Sequence, residues 1–408
     1  MNTRDALARQ IADARPRVVA ALAVHLRDLD LAEDAFAESA AKCLQLSEPP
    51  DNVAGWLTVA GKRQAVDMIR RRQAEARASE GAAQVAELNN MGEIIKLPDT
   101  IGDERLRLIF ICCHPAIALE ARVALALKVI CGLPVAEIAR VFLTSEATMF
   151  QRITRAKKKV HDAGIGFELP PRKHWGERLE AILLTLELAY TIAYQDAAGE
   201  RSAIDDGALS DEVARLALMV AELLPQEAEA LGLAAMVLLA RSRQDARLDP
   251  DGAMVPLSQQ DTQSWDFSMI EQARAMLDRA APLKVLGPYQ LMAAIQLTHA
   301  RRGFDGETDW DAILRLYDAL MTLRGGAMVA LNRAVALGKA QSAAAGLEAL
   351  EAMDAAALKN ARPYHVARAE LLIQTDAKDE AKEALQAALD LDPPRAERLY
   401  LERKLAGQ

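Results

Sequence analysis

Between Ser145 and Val160, the residues Thr148, Gln151, Arg152, Arg155, Lys158 and Lys159 fall on one helical face, and Met149, Ile153, Ala156 and Val160 form an apolar stripe beside it. That face is polar and strongly positive. Arg152 and Arg155 stand about one turn apart, where a guanidinium can fork onto a guanine edge or both can hold phosphates. This is the chemistry of recognition rather than of bond breaking. The elements that must position it are also legible. Ser145 suits an N-cap, because its hydroxyl can accept from a free backbone N–H of the first turn. Upstream, Val135, Ile138, Ala139 and Phe142 recur at i, i+3, i+4, i+7 as one face of a shorter helix, which Leu143-Thr144 interrupts. Two short helices, a tight turn and a basic second helix predict a helix-turn-helix with Ser145–Val160 in the major groove. Ala147 and Ala156 are small where two helices must approach. The plain alternative is a basic helix face that meets only water.

Other residue types with chemical potential form no site by spacing. Cys112-Cys113-His114 invites a zinc reading, but zinc sites want four ligands, usually from paired spacings, and Cys43 and Cys131 supply no second pair. Buried, reduced thiols are expected and no metal. Asp249 and Asp251 flank Pro250 and lack the Glu of a calcium loop. The six histidines are scattered, and the chain has no nucleotide-binding glycine loop and no Gly-x-Ser-x-Gly. An enzyme is not expected, nor a cofactor.

Composition points to helices. The 408 residues are poor in aromatics and rich in Ala, Leu, Glu and Arg, and they suffice for two or three domains. No run approaches the ~20 apolar residues of a membrane span and no signal-peptide pattern opens the chain, so a cytoplasmic protein without a membrane partner is expected. Charge is divided unevenly: residues 1–175 carry 25 basic and 22 acidic groups (net +3), the remainder 24 and 36 (net −12). Nucleic acid is therefore expected to meet the first part.

Along the chain, residues 1–75 read as a compact helical unit, with helices over Arg17–His25, Asp28–Leu46 and Ala54–Gln73. Leu31, Ala35 and Phe36 should face inward and Glu33, Asp34 and Glu38 outward. In the third helix Trp56, Leu57, Ala60, Val66 and Ile69 alternate with Lys62, Arg63 and Arg70–Arg72. Residues 76–102 lack periodicity and read as a linker. Residues 103–165 form the helix-turn-helix domain, with supporting helices over Glu104–Cys113 and Glu120–Cys131. Residues 172–408 read as an all-helical body. Near its end Ala369, Leu372, Ala381, Leu385, Ala388 and Pro393 hold tetratricopeptide-like positions, and Ala334, Leu337, Gly346 and Leu350 form a fainter copy. Such hairpins stack and leave a groove that can take a protein partner, or they serve only as a structural brace. The fold class expected is all-α.

Ser145–Lys157 (SEATMFQRITRAK) resembles the region 4 recognition helix of bacterial sigma factors of the extracytoplasmic-function type. Ala32–Ser39 resembles the segment of that family that binds the clamp helices of RNA polymerase, and Gly55–Arg72 its −10 segment. Asp103–Pro115 resembles a subgroup with a large C-terminal extension, and Gly164–Pro171 its exit strand and turn. The resemblance spans about the first 170 residues. It implies that Glu33, Asp34 and Glu38 meet core RNA polymerase. It implies further that Trp56, Lys62, Arg63, Asp67, Arg70 and Arg71 meet the −10 element of promoter DNA, and Thr148, Phe150, Gln151, Arg152, Arg155 and Lys159 the −35 element. Gly61 departs from the family, which usually has a longer side chain there, and the loop Ser47–Asn52 holds no aromatic to stack on a flipped base. In the extension, Asp251, Gly252 and Met254 resemble a short signature, which implies an interdomain contact. The function implied is promoter-specific initiation, with the extension regulating it in cis. A stand-alone helix-turn-helix regulator with a helical-repeat sensor is the competing reading.

Overall fold

A computed structural model describes residues 3–78, 104–195, 208–354 and 358–407. Their regular structure is helical, and β pairing among them is confined to one antiparallel bridge, Leu248–Met254. The chain divides into two compact units, Met1–Ala189 and Tyr190–Gln408. The expected linker falls outside the described residues apart from its first positions, which continue the preceding helix.

The first unit is built around α1 (Thr3–Leu26), with α2 (Leu29–Cys43), α3 (Val53–Ala78), α4 (Glu104–Cys112) and α5 (Leu119–Val129) all packed against it. Val18, Val19, Ala20, Leu22, Ala23 and Val24 are almost wholly buried, and Ala21 between them is partly exposed, so this stretch of α1 is enclosed on nearly every side. The helix starts well before Arg17 and passes through Pro16. Proline forfeits a helical hydrogen bond, but Leu7, Ile11 and Ala14 upstream are buried and extend the apolar stripe. Asp28 caps α2 by accepting from the N–H groups of Asp30 and Leu31, both at 2.9 Å. Asn52 caps α3 by accepting from the Gly55 N–H at 2.9 Å.

Helices α6 (Val135–Val141) and α7 (Glu146–Asp162) follow, with Leu143 turned into the left-handed region (φ 49°) between them. Residues 164–171 form no strand, contrary to the exit strand that the resemblance implied. Among the described residues no strand edge lies open to the segment, and it is held by burial of Phe167 and by Trp175 Nε1, which donates to the Pro170 carbonyl at 2.7 Å. Helix α8 (Gly176–Gln195) starts inside the first unit. Trp175 packs on Phe110 with centroids 5.3 Å apart, and Arg172 stacks over its ring. All four cysteines are buried and free. Burial pushes the Cys113 thiol up to about 12 and that of Cys112 well above its ordinary value, so neither is a nucleophile at neutral pH.

The second unit is a succession of packed helices: α9 (Ala208–Leu223), α10 (Ala228–Arg241), α11 (Phe267–Ala280), α12 (Pro288–Ala300), α13 (Arg302–Asp305), α14 (Trp310–Leu323), α15 (Ala327–Ala340), α16 (Ala343–Glu351), α17 (Arg362–Gln374), α18 (Lys378–Asp390) and α19 (Arg395–Ala406). Helix α10 is apolar on every side and is buried accordingly, between α9, α11 and α12. Gly232 allows α12 to approach, since a Cβ there would lie 2.6 Å from the Gln290 backbone nitrogen. Glu229 in turn caps α12 by accepting from the N–H groups of Tyr289 and Gln290 at 2.9 and 3.1 Å.

Helices α15 and α16 form a hairpin, as do α17 and α18. Ala334, Leu350 and Leu371 belong to one buried cluster, and Ala369, Leu372, Ala381, Leu385 and Ala388 to the next. The small position Gly346 has a direct physical cause. A Cβ there would lie 2.6 Å from Gly338 Cα and 2.8 Å from the Ala334 carbonyl oxygen. Gly346→Ala should therefore force α15 and α16 apart, lowering the stability of the second unit by about 1–3 kcal/mol. Faster amide hydrogen exchange across Ala327–Glu351 of the full chain is the expected readout. Unchanged exchange would show that the two helices do not depend on this contact.

Candidate nucleic-acid interface

The Ser145 hydroxyl accepts from the Thr148 N–H at 3.2 Å and lies 2.8 Å from the Thr148 hydroxyl, so the first turn of α7 is capped as its residue types require. Met149, Ile153, Ala156 and Val160 are buried against α5 and α6, which fixes the rotation of the helix. The opposite side is open. Thr148, Gln151, Arg152, Arg155 and Lys159 line a groove of about 360 Å³ whose other wall is Ala116–Ala118 and Ala121. That wall is held by Arg122, which donates from Nε to the Ile117 carbonyl at 2.6 Å and from Nη2 to the Pro115 carbonyl at 2.9 Å.

The basic residues of this face are not equivalent. Arg152 is half-buried: it pairs with Glu120 at 2.8 Å and lies over the Phe142 ring, 5.7 Å from its centroid. Arg155, Lys158 and Lys159 are exposed and have no ion-pair partner among the described residues. They are the groups that can neutralise phosphate without first breaking a contact. Phe150 lies off the groove and is 61% exposed, and Leu143 in the turn is 95% exposed. Ala147 does not serve helix approach. It faces solvent, and only Ala156 of the two small residues is buried.

Helix α3 carries the second set. Lys62, Arg63, Asp67, Arg70 and Arg71 are exposed along it and Trp56 is half-buried near its start. Val66, expected inside, lies on the outer face with Val59, while Leu57 and Ala65 are the buried positions. Gly61 has a packing cause. A side chain there would meet the Leu22 methyl at 2.7 Å, so the glycine lets α3 lie close on α1.

On α2, Asp34 and Glu38 are exposed, and Asp34 lies 3.5 Å from Arg72. Glu33 is not outward-facing as expected. Its side chain is 21% exposed and pairs with Arg15 at 3.1 Å and Lys157 at 2.5 Å. Lys157, Glu120 and Phe142 are the residues of this region that sequence reasoning missed as partners. Their contacts join segments distant in sequence, and no spacing rule signals such pairs.

In the second unit, Asp249 Oδ1 accepts from the N–H groups of Asp251 and Ala253 at 2.9 and 2.8 Å, and Gly252 takes the left-handed turn conformation (φ 82°). Arg403 of α19 bridges Asp249 and Asp251 at 2.5 and 2.8 Å, and the Met254 N–H donates to the Ala396 carbonyl at 2.9 Å. The hydrogen bonds from Ala253 and Arg403 hold the Asp249 carboxyl below its ordinary range. Asp251, Gly252 and Met254 thus belong to a loop fastened on the last helix of their own unit.

Residues 107–160 match the model of sigma-70, region 4, and residues 178–281 that of a family of unknown function (DUF6596). An uncharacterized protein of Rhizobium meliloti is 38% identical over 403 residues, covering 97% of this chain and 94% of that protein. The chain belongs to that protein's family, and it carries a sigma-70 region 4 domain. The region 4 domain takes in most of α4 and all of α5 and α6, and ends within α7.

The unequal tethering of its arginines can be measured on the full chain. Arg155→Ala should weaken binding to duplex DNA and flatten the dependence of log K on log salt by about 0.9. Glu120→Gln, which releases Arg152, should leave that slope within the error of the measurement. Equal slopes for wild type and Arg155→Ala in a salt-titrated anisotropy assay would remove Arg155 from the phosphate contacts.

Proposed function

We propose that this protein is a cytoplasmic sigma factor of the extracytoplasmic-function type, which binds core RNA polymerase and directs promoter-specific initiation. The observation that carries the reading is the coincidence of the sigma-70 region 4 match with a Ser145-capped helix whose basic face is open to solvent. In this reading Thr148, Gln151, Arg152, Arg155 and Lys159 meet the −35 element from the groove, with Phe150 at its edge. Trp56, Lys62, Arg63, Asp67, Arg70 and Arg71 on α3 meet the −10 element. Glu33, Asp34 and Glu38 meet the polymerase. A row of cations on an exposed helix suits phosphates at a melting duplex, and carboxylates on one edge suit a basic patch of a partner. Catalysis belongs to the polymerase, so the protein itself needs no cofactor.

The C-terminal helical unit regulates this activity in cis, its tetratricopeptide-like hairpins offering a groove to a protein partner. Asp251, Gly252 and Met254 act in that regulation through their hold on α19.

Run-off transcription with purified core polymerase, on the upstream region of the protein's own operon, tests the reading. Full-length protein should direct a discrete start, and a Gln151→Ala, Arg155→Ala, Lys159→Ala triple variant should lose it by at least tenfold. A fragment ending after Ala189, which keeps Trp175 on Phe110, reports on the extension. If the fragment is inactive the extension is required, and if it is hyperactive the extension inhibits. If full-length protein neither binds core polymerase nor starts a transcript, and protects symmetrical half-sites, the stand-alone regulator replaces the sigma factor.

A further inference from the structure

The acidic edge of α2 has an occupant within the chain. Lys157 sits on the flank of α7, beside the buried stripe rather than on the groove, and its side chain is only 12% exposed. Its ammonium donates to Glu33 at 2.5 Å and to Asp30 at 2.9 Å, across 124 and 127 residues of sequence. Glu33 also holds Arg15 at 3.1 Å, and Lys128 is close enough to feel Arg15, Glu33 and Lys157. Two carboxylates, the half-buried Glu33 and the more exposed Asp30, thus face a cluster of cations. A desolvated pair of this kind differs from an ordinary surface ion pair, since removing one partner leaves the other poorly solvated. Neighbouring contacts hold the same arrangement: α1 packs on α4 and α5, and Arg27 pairs with Glu168 at 3.2 Å.

We propose that Lys157 latches the region 4 domain onto the Asp30–Glu33 edge of α2, and that core polymerase and this latch compete for that edge. The inference rests on the sigma reading, which gives Glu33 to the polymerase. Gln151, Arg155 and Lys159 remain exposed in the latched arrangement, so the latch masks the polymerase-facing edge and leaves the duplex-facing groove open. Polymerase binding then draws only on the unlatched fraction, and its apparent affinity is reduced by that fraction. A basic surface on the polymerase is the chemistry that displaces a lysine from two carboxylates.

The test uses the full-length chain and a zero-length carbodiimide, which joins an amine to a carboxylate only when they touch. Mass spectrometry of the free protein should find Lys157 linked to Glu33 or Asp30, and saturating core polymerase should suppress that link. Lys157→Ala should bind core polymerase about five- to tenfold more tightly than wild type. Lys157→Arg, which keeps the charge, should bind like wild type, and duplex binding by both variants should stay within about twofold of it. Absence of the link in free protein overturns the latch whatever the polymerase does. A link that persists on polymerase, or equal affinities for wild type and Lys157→Ala, overturns the competition while the sigma reading stands. A link in free protein, with no polymerase binding by any variant, overturns the sigma reading and the competition with it.

Discussion

The first unit depends on the burial of one stretch of α1 among its neighbours. The helix α1 packs against α2, α3, α4 and α5, and fully burying each Val or Leu of its stretch Val18–Val24 contributes about 1.5–3 kcal/mol. Leu22 makes a close contact of this kind, since it lies against α3 at Gly61, where a side chain would meet its methyl group. Two sets of basic residues, on α3 and on α7, are therefore displayed from a common core. Their facing is decided by what α1 and the helices around it bury, and the charges take whatever surface remains.

On α7 the consequences are visible residue by residue. Burial of Met149, Ile153, Ala156 and Val160 fixes the rotation, and three kinds of cation result. Arg155 and Lys159 face the open groove. Arg152 is held in place by Glu120 and the Phe142 ring, so less side-chain entropy is lost when it meets a ligand. Lys157 is turned inward to Asp30 and Glu33, where burial alone would lower its pKa but the two carboxylates raise it above the ordinary value. A single short helix thus presents a contact surface, a pre-positioned arginine and an internal ion pair within a few residues.

The second unit follows a different logic. An apolar helix, α10, is enclosed by its neighbours, and hairpins then add one after another with small residues at the closest approaches. Such an array is stabilised mainly by nearest-neighbour contacts. The clasp of Arg403 on Asp249 and Asp251 is an exception, because it ties a loop between α10 and α11 to the last helix. A contact across so much sequence couples parts of the array that would otherwise open separately.

Composition and the period of the apolar residues by themselves indicate the all-helical class and the helix-turn-helix, the residue type at Ser145 indicates its cap, and the spacing of Ala and Leu indicates most of the positions that the last hairpins bury. The region 4 domain can be recognised from a short run because helix caps, apolar stripe and basic face are all local properties. Which charges stay free is not a local property. Glu33 and Lys157 look like solvated residues in a one-dimensional pattern, as Arg152 does, and Val66 looks like a core residue. Each assignment is reversed or refined by a neighbour far along the chain, and Gly61 draws its meaning from Leu22 alone. Periodicity records how a helix divides its own faces. Only the packed chain determines what lies opposite each face, because ion pairing and close approach depend on distances between segments that the spacing of residues does not encode.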